Sequence, residues 1–274
     1  MNPKGFHQLH LSLGEDMFAE LSQSVALEEV AKGRKGNHLV DPSAAGIPLV
    51  RTTTQYHLPA SPFLEEHRRV VSGIQAAATH APGLHEKPVA FNNALIEIYD
   101  SSYTSMKYHS DQCLDIAEDS FIALYSCYES PTAMRPGDAR KLKVRSKSGD
   151  PEFEFDLAHN SVILFSTETN AQFQHKIVLE PAKGATPIPE RDRWLGITFR
   201  LSKTFIHFRN GKPYFPNGTE LRLADAEESK EFYRLRGAEN AAVGFVYPEV
   251  GYTISEGDLM EVEFEEDSPR NPLT

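Results

Sequence analysis

The run KYHSDQC carries His109 and Asp111 two residues apart. On a β-strand, residues i and i+2 face the same side, so this spacing aims an imidazole and a carboxylate at one point. Of the eleven histidines, only His109 has an acidic residue two positions on. A second imidazole is available in FQHKIVL, where His175 follows His109 by 66 residues in another strand-like run. Two His and one carboxylate form a facial metal triad with three open coordination positions, suited to Fe(II) and O2 chemistry. His109, Asp111 and His175 are thus the candidate metal ligands and catalytic residues. Taken alone, the H-x-D spacing also fits a surface histidine at a strand end beside a chance aspartate.

A second motif adds to the first. Oxygenases with this triad take 2-oxoglutarate, a dicarboxylate whose far end needs a buried cation of fork geometry. RWLGITFRLS offers Arg193 and Arg200 on one strand-like run, with Thr198 as a hydroxyl donor. The two arginines are seven apart and have opposite strand parity. Without a bulge only one can face a barrel interior, and the other is an outward ion-pair residue.

The elements that would position these residues follow from pattern. Residues 1–87 read as N-terminal helices and a substrate lid. Asp16 caps a helix through MFAELSQSVALEEVAK that Gly33 and Gly36 end. A second helix starts at Ser61-Pro62 and stops before Pro82-Gly83. IPLVRTTTQYHL lies between them as a strand. Residues 88–205 carry short strand runs: NNALIEIYD, DSFIALYSCYE, RKLKVRSK, EFEFDL, SVILFS, FQHKIVLE and RWLGITFRLS. The turn signals Pro136-Gly137, Ser148-Gly149-Asp150 and His159-Asn160 separate them, which predicts an antiparallel sandwich or barrel. Residues 206–274 form a C-terminal extension. It has turns at Asn210-Gly211 and Asn217-Gly218, a helix over 225–239 and an acidic, disordered end.

Composition narrows the class. The 274 residues are 40% hydrophobic and 24% charged, with a net charge of −11. Such a chain can bury a sizeable core, and its acidity argues against a strongly basic nucleic-acid binder. Residues 201–274 alone hold 8 Lys+Arg against 14 Asp+Glu, so much of that acidity sits in the extension. Only Cys113 and Cys127 occur. No signal peptide or apolar run long enough to span a membrane is present. The expectation is an intracellular protein, in cytoplasm or nucleus, with free thiols and no membrane partner.

The segment FNNALIEIYDSSYTSMKYHSD resembles the AlkB-like Fe(II)/2-oxoglutarate dioxygenases. That family has FN-x-x-L-I-N-x-Y, then H-x-D ten residues later. Phe91, Asn92, Leu95, Ile96, Tyr99, His109 and Asp111 match. SVILFS…QFQHKI resembles the family's strand–turn–strand, and GITFR its closing R-x-N-L-T-F-R. The resemblance covers residues 88–203. It implies an α+β fold, a double-stranded β-helix (jelly-roll) barrel with N-terminal helices and a C-terminal α/β appendix. It implies Fe2+ held by His109, Asp111 and His175, with 2-oxoglutarate and O2 as cosubstrates. Tyr99 would bind a cosubstrate carboxylate, and Arg200 its keto-acid end. Three positions depart from the pattern. Glu97 replaces the N-x-Y asparagine, and Trp194 and Gly196 replace the closing Arg and Asn. A one-residue bulge could let Arg193 serve, which is slightly favoured. Otherwise Arg200 alone anchors the cosubstrate, or cosubstrate binding is altered.

The resemblance implies oxidative demethylation or hydroxylation of alkylated bases in DNA or RNA. One feature agrees. Lys141, Lys143, Arg145 and Lys147 alternate along RKLKVRSK, giving a positive stripe suited to phosphates. The same stripe also fits an edge strand protected from aggregation by lysine. Arg51 and Tyr56, in GIPLVRTTTQY, fall where the family carries its lid and could contact a base, or could simply extend the main sheet. His67-Arg68-Arg69 and Arg34-Lys35 could add to that positive surface, but read more readily as solvated helix faces. Two readings compete with the nucleic-acid one. The same chemistry could act on a protein side chain or small metabolite, or the barrel could be a non-enzymatic binder.

Overall fold

The computed structural model describes residues 5–14, 17–84, 87–135, 138–149, 152–180 and 193–263. Its main sheet runs, in spatial order, β1 (Phe6–His10), β10 (Ser161–Ser166), β7 (Phe121–Tyr128), β12 (Trp194–Arg200), β6 (Asn93–Tyr99), β3 (Arg34–Val40) and β2 (Glu28–Ala31). Neighbours are antiparallel throughout. A short parallel pairing adds β5 (Ser61–Pro62) to β3. A second antiparallel sheet has the order β11 (Phe173–Val178), β8 (Lys141–Ser146), β9 (Phe153–Asp156). The fold is mostly antiparallel β, as the strand runs of residues 88–205 predict.

Strand alternation sorts the main sheet into two cores. On β7, Phe121, Ala123, Tyr125 and Cys127 join the core beneath the helices, while Ile122 and Leu124 face the second sheet. On β12, Leu195, Ile197 and Phe199 share the first core and Trp194 the second. Both faces are therefore covered. This is why these strands read as continuous apolar runs rather than as a hydrophobic-polar alternation. Thr198 and Arg200 share the parity of Trp194, so they stand on the face toward the second sheet.

The N-terminal part departs from expectation. The long first helix is only α1 (Met17–Gln23), and Asp16, its expected cap, lies outside the described residues. The Ser22 and Ser24 hydroxyls hydrogen-bond the Ala19 and Leu21 carbonyls at its end. The chain then turns through Gly33, at φ +73°, and pairs β2 with β3. Arg34 and Lys35 therefore lie on a strand, not on a helix face. The second helix is α2 (Glu65–Thr79), and Pro62 belongs to β5 rather than to its first turn. It buries His67, Val70, Ile74 and Ala78 at helical spacing. The expected strand in IPLVRTTTQYHL is only β4 (Ile47–Leu49).

Three further elements complete the frame of the site. α3 (Thr167–Gln172) joins β10 to β11, with Ser166 accepting the Thr169 N–H as its cap. β13 (Thr204–Arg209) pairs with β4 and, through the Asn210-Gly211 turn, with β14 (Lys212–Tyr214). Both turn residues have positive φ, as that hairpin turn requires. α4 (Ala226–Ala241) starts at Asp225, whose carboxylate accepts the Glu227 and Glu228 N–H groups. Phe232 and Leu235 of α4 pack with Leu114, Val250, Tyr252 and Ile254.

One carboxyl in this extension gives a pH prediction. Burial pushes Asp258 from 3.8 up to about 7, although its Thr253 hydrogen bond and Arg51 oppose the shift. A carboxyl whose pKa rises on folding favours the folded state at low pH. That contribution is lost as pH rises from 3.8 through about 7. The Asp258→Asn variant should therefore lose part of the decline in melting temperature over that range. An unchanged melting profile would show that Asp258 does not titrate there.

Candidate iron site

His109 and His175 face each other across a two-residue backbone bridge. The His109 N–H donates to the His175 carbonyl at 2.9 Å, and the His175 N–H returns to the His109 carbonyl at 2.6 Å. Cross-strand pairing puts both rings on one face, with centroids 4.6 Å apart. Asp111, two residues on, joins them, and the ligand-type atoms of the three lie within 4.8 Å of one another. Asp111 and His175 are buried and His109 is partly exposed.

The surroundings fix orientation and charge. Asn170 of α3 clamps the Asp111 backbone, accepting its N–H at 2.7 Å and donating to its carbonyl at 2.8 Å. Arg200 Nε donates to Asp111 Oδ2 at 2.9 Å. Burial alone would raise the Asp111 pKa, but Arg200 and His175 hold it well below the usual carboxylate range. Desolvation, with the neighbouring His175 and Arg236, lowers His109 to about 3, and burial lowers His175 too. Both imidazoles are thus in the neutral form that binds a metal. The Lys107 carbonyl lies 3.0 Å from His109 Nδ1, which leaves Nε2 toward the cluster.

The extension takes part. Asn240 of α4 accepts the Ser110 N–H, Arg236 donates to the Ser110 carbonyl, and Glu239 accepts the Cys113 N–H. Ser110 and Cys113, on either side of Asp111, are thus held from α4. These partners escaped the sequence reading because they are remote in sequence and polar helix residues carry no local signal. Asn170, five residues before His175, offered only its proximity in sequence.

The cluster opens into a cavity of about 540 Å³, whose walls include Leu95, Leu124, Leu142, Ile177, Thr198 and Arg200. Arg200 Nη1 is buried there without a hydrogen-bond partner. An unpartnered buried guanidinium N–H beside the cluster fits a ligand carboxylate. A larger cavity, of about 870 Å³, lies beyond the H-x-D segment against the extension. None of His109, Asp111 and His175 lines it, whereas all three line the smaller cavity.

Several expected residues stand elsewhere. Arg193 pairs bidentately with Glu129 and packs on Phe18, away from the cavity. β12 keeps unbroken register with β6 and β7, so the bulge that would turn Arg193 inward does not exist. The Tyr99 hydroxyl is in the core and donates to Glu97 at 2.6 Å. Arg51 is buried, binding Asp115 bidentately and the Val250 and Tyr252 carbonyls. Tyr56 is buried edge-on against His38 at 4.8 Å. Neither forms an exposed lid. On β8, Lys141 pairs with Glu154, Lys143 with Glu180, and Arg145 with Gln174. Lys147 binds carbonyls at the end of α4. The stripe forms, but its cations are engaged within the chain.

Two imidazoles and a carboxylate within 4.8 Å of one another are the donor set that non-haem iron oxygenases use. The 2OG-Fe(II) oxygenase superfamily matches residues 48–200, more than half of the chain, and the chain belongs to that superfamily. It is an Fe(II)/2-oxoglutarate-dependent dioxygenase, with O2 as the fitting cosubstrate. Its fold is similar to that of a Pseudomonas putida prolyl-4-hydroxylase, at 16% identity and a TM-score of 0.44 over 72% of this chain and 92% of that one. It is also similar to OsALKBH1, at 14% identity and a TM-score of 0.48 over 73% and 98%. No curated protein matches the sequence. Among the described residues, no helix is long and apolar enough to cross a membrane.

Proposed function

We propose that His109, Asp111 and His175 hold the iron in an AlkB-like double-stranded β-helix, and that the enzyme hydroxylates a C–H group of a protein side chain or small metabolite. Bound iron supplies oxidative decarboxylation of 2-oxoglutarate coupled to substrate hydroxylation. The residues do the rest. Asp111 is held ionised by Arg200, whose second N–H is positioned for the metal-side carboxylate of the cosubstrate. Thr198 adds a hydroxyl to the same wall. Leu95, Leu124, Leu142 and Ile177 line the wall with hydrocarbon and limit water there.

The observation that carries the substrate class is the engagement of β8. A nucleic-acid enzyme needs cations free to replace phosphate counterions. Here Lys141, Lys143, Arg145 and Lys147 have partners within the chain, and Arg51 and Tyr56 are in the core. The FNNALIEIY…HSD resemblance favours the second reading, oxidation of an alkylated base.

The test supplies Fe(II), 2-oxoglutarate and O2 with a metabolite extract, peptides and methylated oligonucleotides, and reads succinate and product mass. Oxygen gain on a small molecule or a peptide, with rates that barely change with salt, is the expected result. Demethylation of oligonucleotides that weakens steeply with salt would transfer the assignment to the second reading.

A further inference from the structure

We propose that Arg34, on β3, grips the far carboxylate of 2-oxoglutarate, a task that no side chain of β12 can perform here. The inference rests on the reading of His109, Asp111 and His175 as the iron ligands. A dicarboxylate chelated at one end needs a cation or several donors at the other.

On the face of β12 toward the second sheet, leading away from the metal cluster, stand Arg200, Thr198, Gly196 and Trp194, of which Arg200 and Thr198 line the cavity. Successive positions are separated by about 7 Å, two residues of strand rise. Past Thr198 this row holds no cation. Gly196 has no side chain, and the Trp194 indole lies over it: a Cβ at Gly196 would collide with the far edge of that ring. The indole also packs on Tyr99 at 4.8 Å. Arg193 belongs to the opposite face, with Glu129.

β3 supplies the cation instead. Arg34 is opposite Tyr99 and Gly36 is opposite Glu97, which is itself opposite Gly196. The Arg34 guanidinium reaches Glu97, lies over the Tyr103 ring and lines the same cavity as Thr198 and Arg200. Its side chain is 18% exposed. Buried polar groups without partners gather at this level. Ser126 Oγ is opposite Gly196, and Trp194 Nε1 belongs to the ring that covers Gly196. The Tyr56 hydroxyl lies 3.1 Å from the place of a Gly36 Cβ. These groups lie beside the cavity rather than in its wall, and the cavity's own lining at this level is Arg34, Glu97 and Tyr103. Glu97 holds Arg34 in place, and the guanidinium has further N–H groups for a second carboxylate.

The test titrates the full-length, Mn(II)-loaded protein with 2-oxoglutarate and with 2-oxopentanoate, which has a methyl group in place of the far carboxylate. Calorimetry reads affinity. Trp194, the sole tryptophan, reads occupancy of the adjoining space by fluorescence. Arg34→Met should weaken 2-oxoglutarate on the order of a hundredfold, the loss of a charged hydrogen-bond pair, and leave 2-oxopentanoate unchanged. Arg34→Lys, which keeps the charge but loses the fork, should fall between and serves if the Met variant does not fold. Unchanged 2-oxoglutarate affinity in either variant would overturn the proposal, as would equal weakening of both ligands. Failure of the wild-type chain to bind Mn(II) would refute the metal reading itself, and this proposal with it.

Discussion

His175→Ala should reduce 2-oxoglutarate turnover by at least about a hundredfold, the upper range for merely disturbing a ligand's support, while the protein stays folded. The variant loses an imidazole but keeps the His109–His175 main-chain bridge, whose atoms are all backbone. It also keeps the Asp111–Arg200 pair. Asp111→Ala should show the same loss of turnover with an added loss of stability, because it leaves the Arg200 guanidinium buried without its carboxylate. Succinate release, Mn(II) titration and thermal melting separate the two effects. Full turnover by His175→Ala would refute the metal assignment.

Arg51→Ala should be the most damaging single change to stability away from the iron site. Arg51 and Asp115 are 4% and 1% exposed and make a bidentate pair. Arg51 further donates to the Val250 and Tyr252 carbonyls, joining the segment after β4 to the C-terminal extension. Breaking a buried pair on one side costs about 3–5 kcal/mol. In a chain of this size that lowers the melting temperature by about 10 °C. The Arg51→Ala/Asp115→Ala double variant should lose less than the sum of the single losses, since neither charge is then stranded. A shift below about 2 °C for the single variant would show that water replaces the pair at little cost.

Much of the fold was legible because strand alternation and turn residues are local. From β6 to β12, each strand run of the sequence coincides with an observed strand within a residue or two. The H-x-D spacing and the downstream His175 also announced a cluster that the structure brings together. What local pattern could not supply was pairing. EEVA continues a helical pattern, yet it becomes β2 because β3 offers it an edge. Arg51 looks like a lid residue until Asp115 and two distant carbonyls claim its guanidinium. Arg193 and Arg200 are equally plausible by type, and only the unbroken β12 register decides between them. Arg34 reads from the sequence only as half of a basic surface pair, because local pattern does not reveal the β3–β6 pairing that brings it beside Glu97.

The reciprocal hydrogen bonds between His109 and His175 carry one more consequence. The positions of the two imidazoles are written in the main chain, so a side chain exchanged at either one leaves the bridge itself intact. A chain built this way can exchange one metal-binding side chain for another without moving its scaffold.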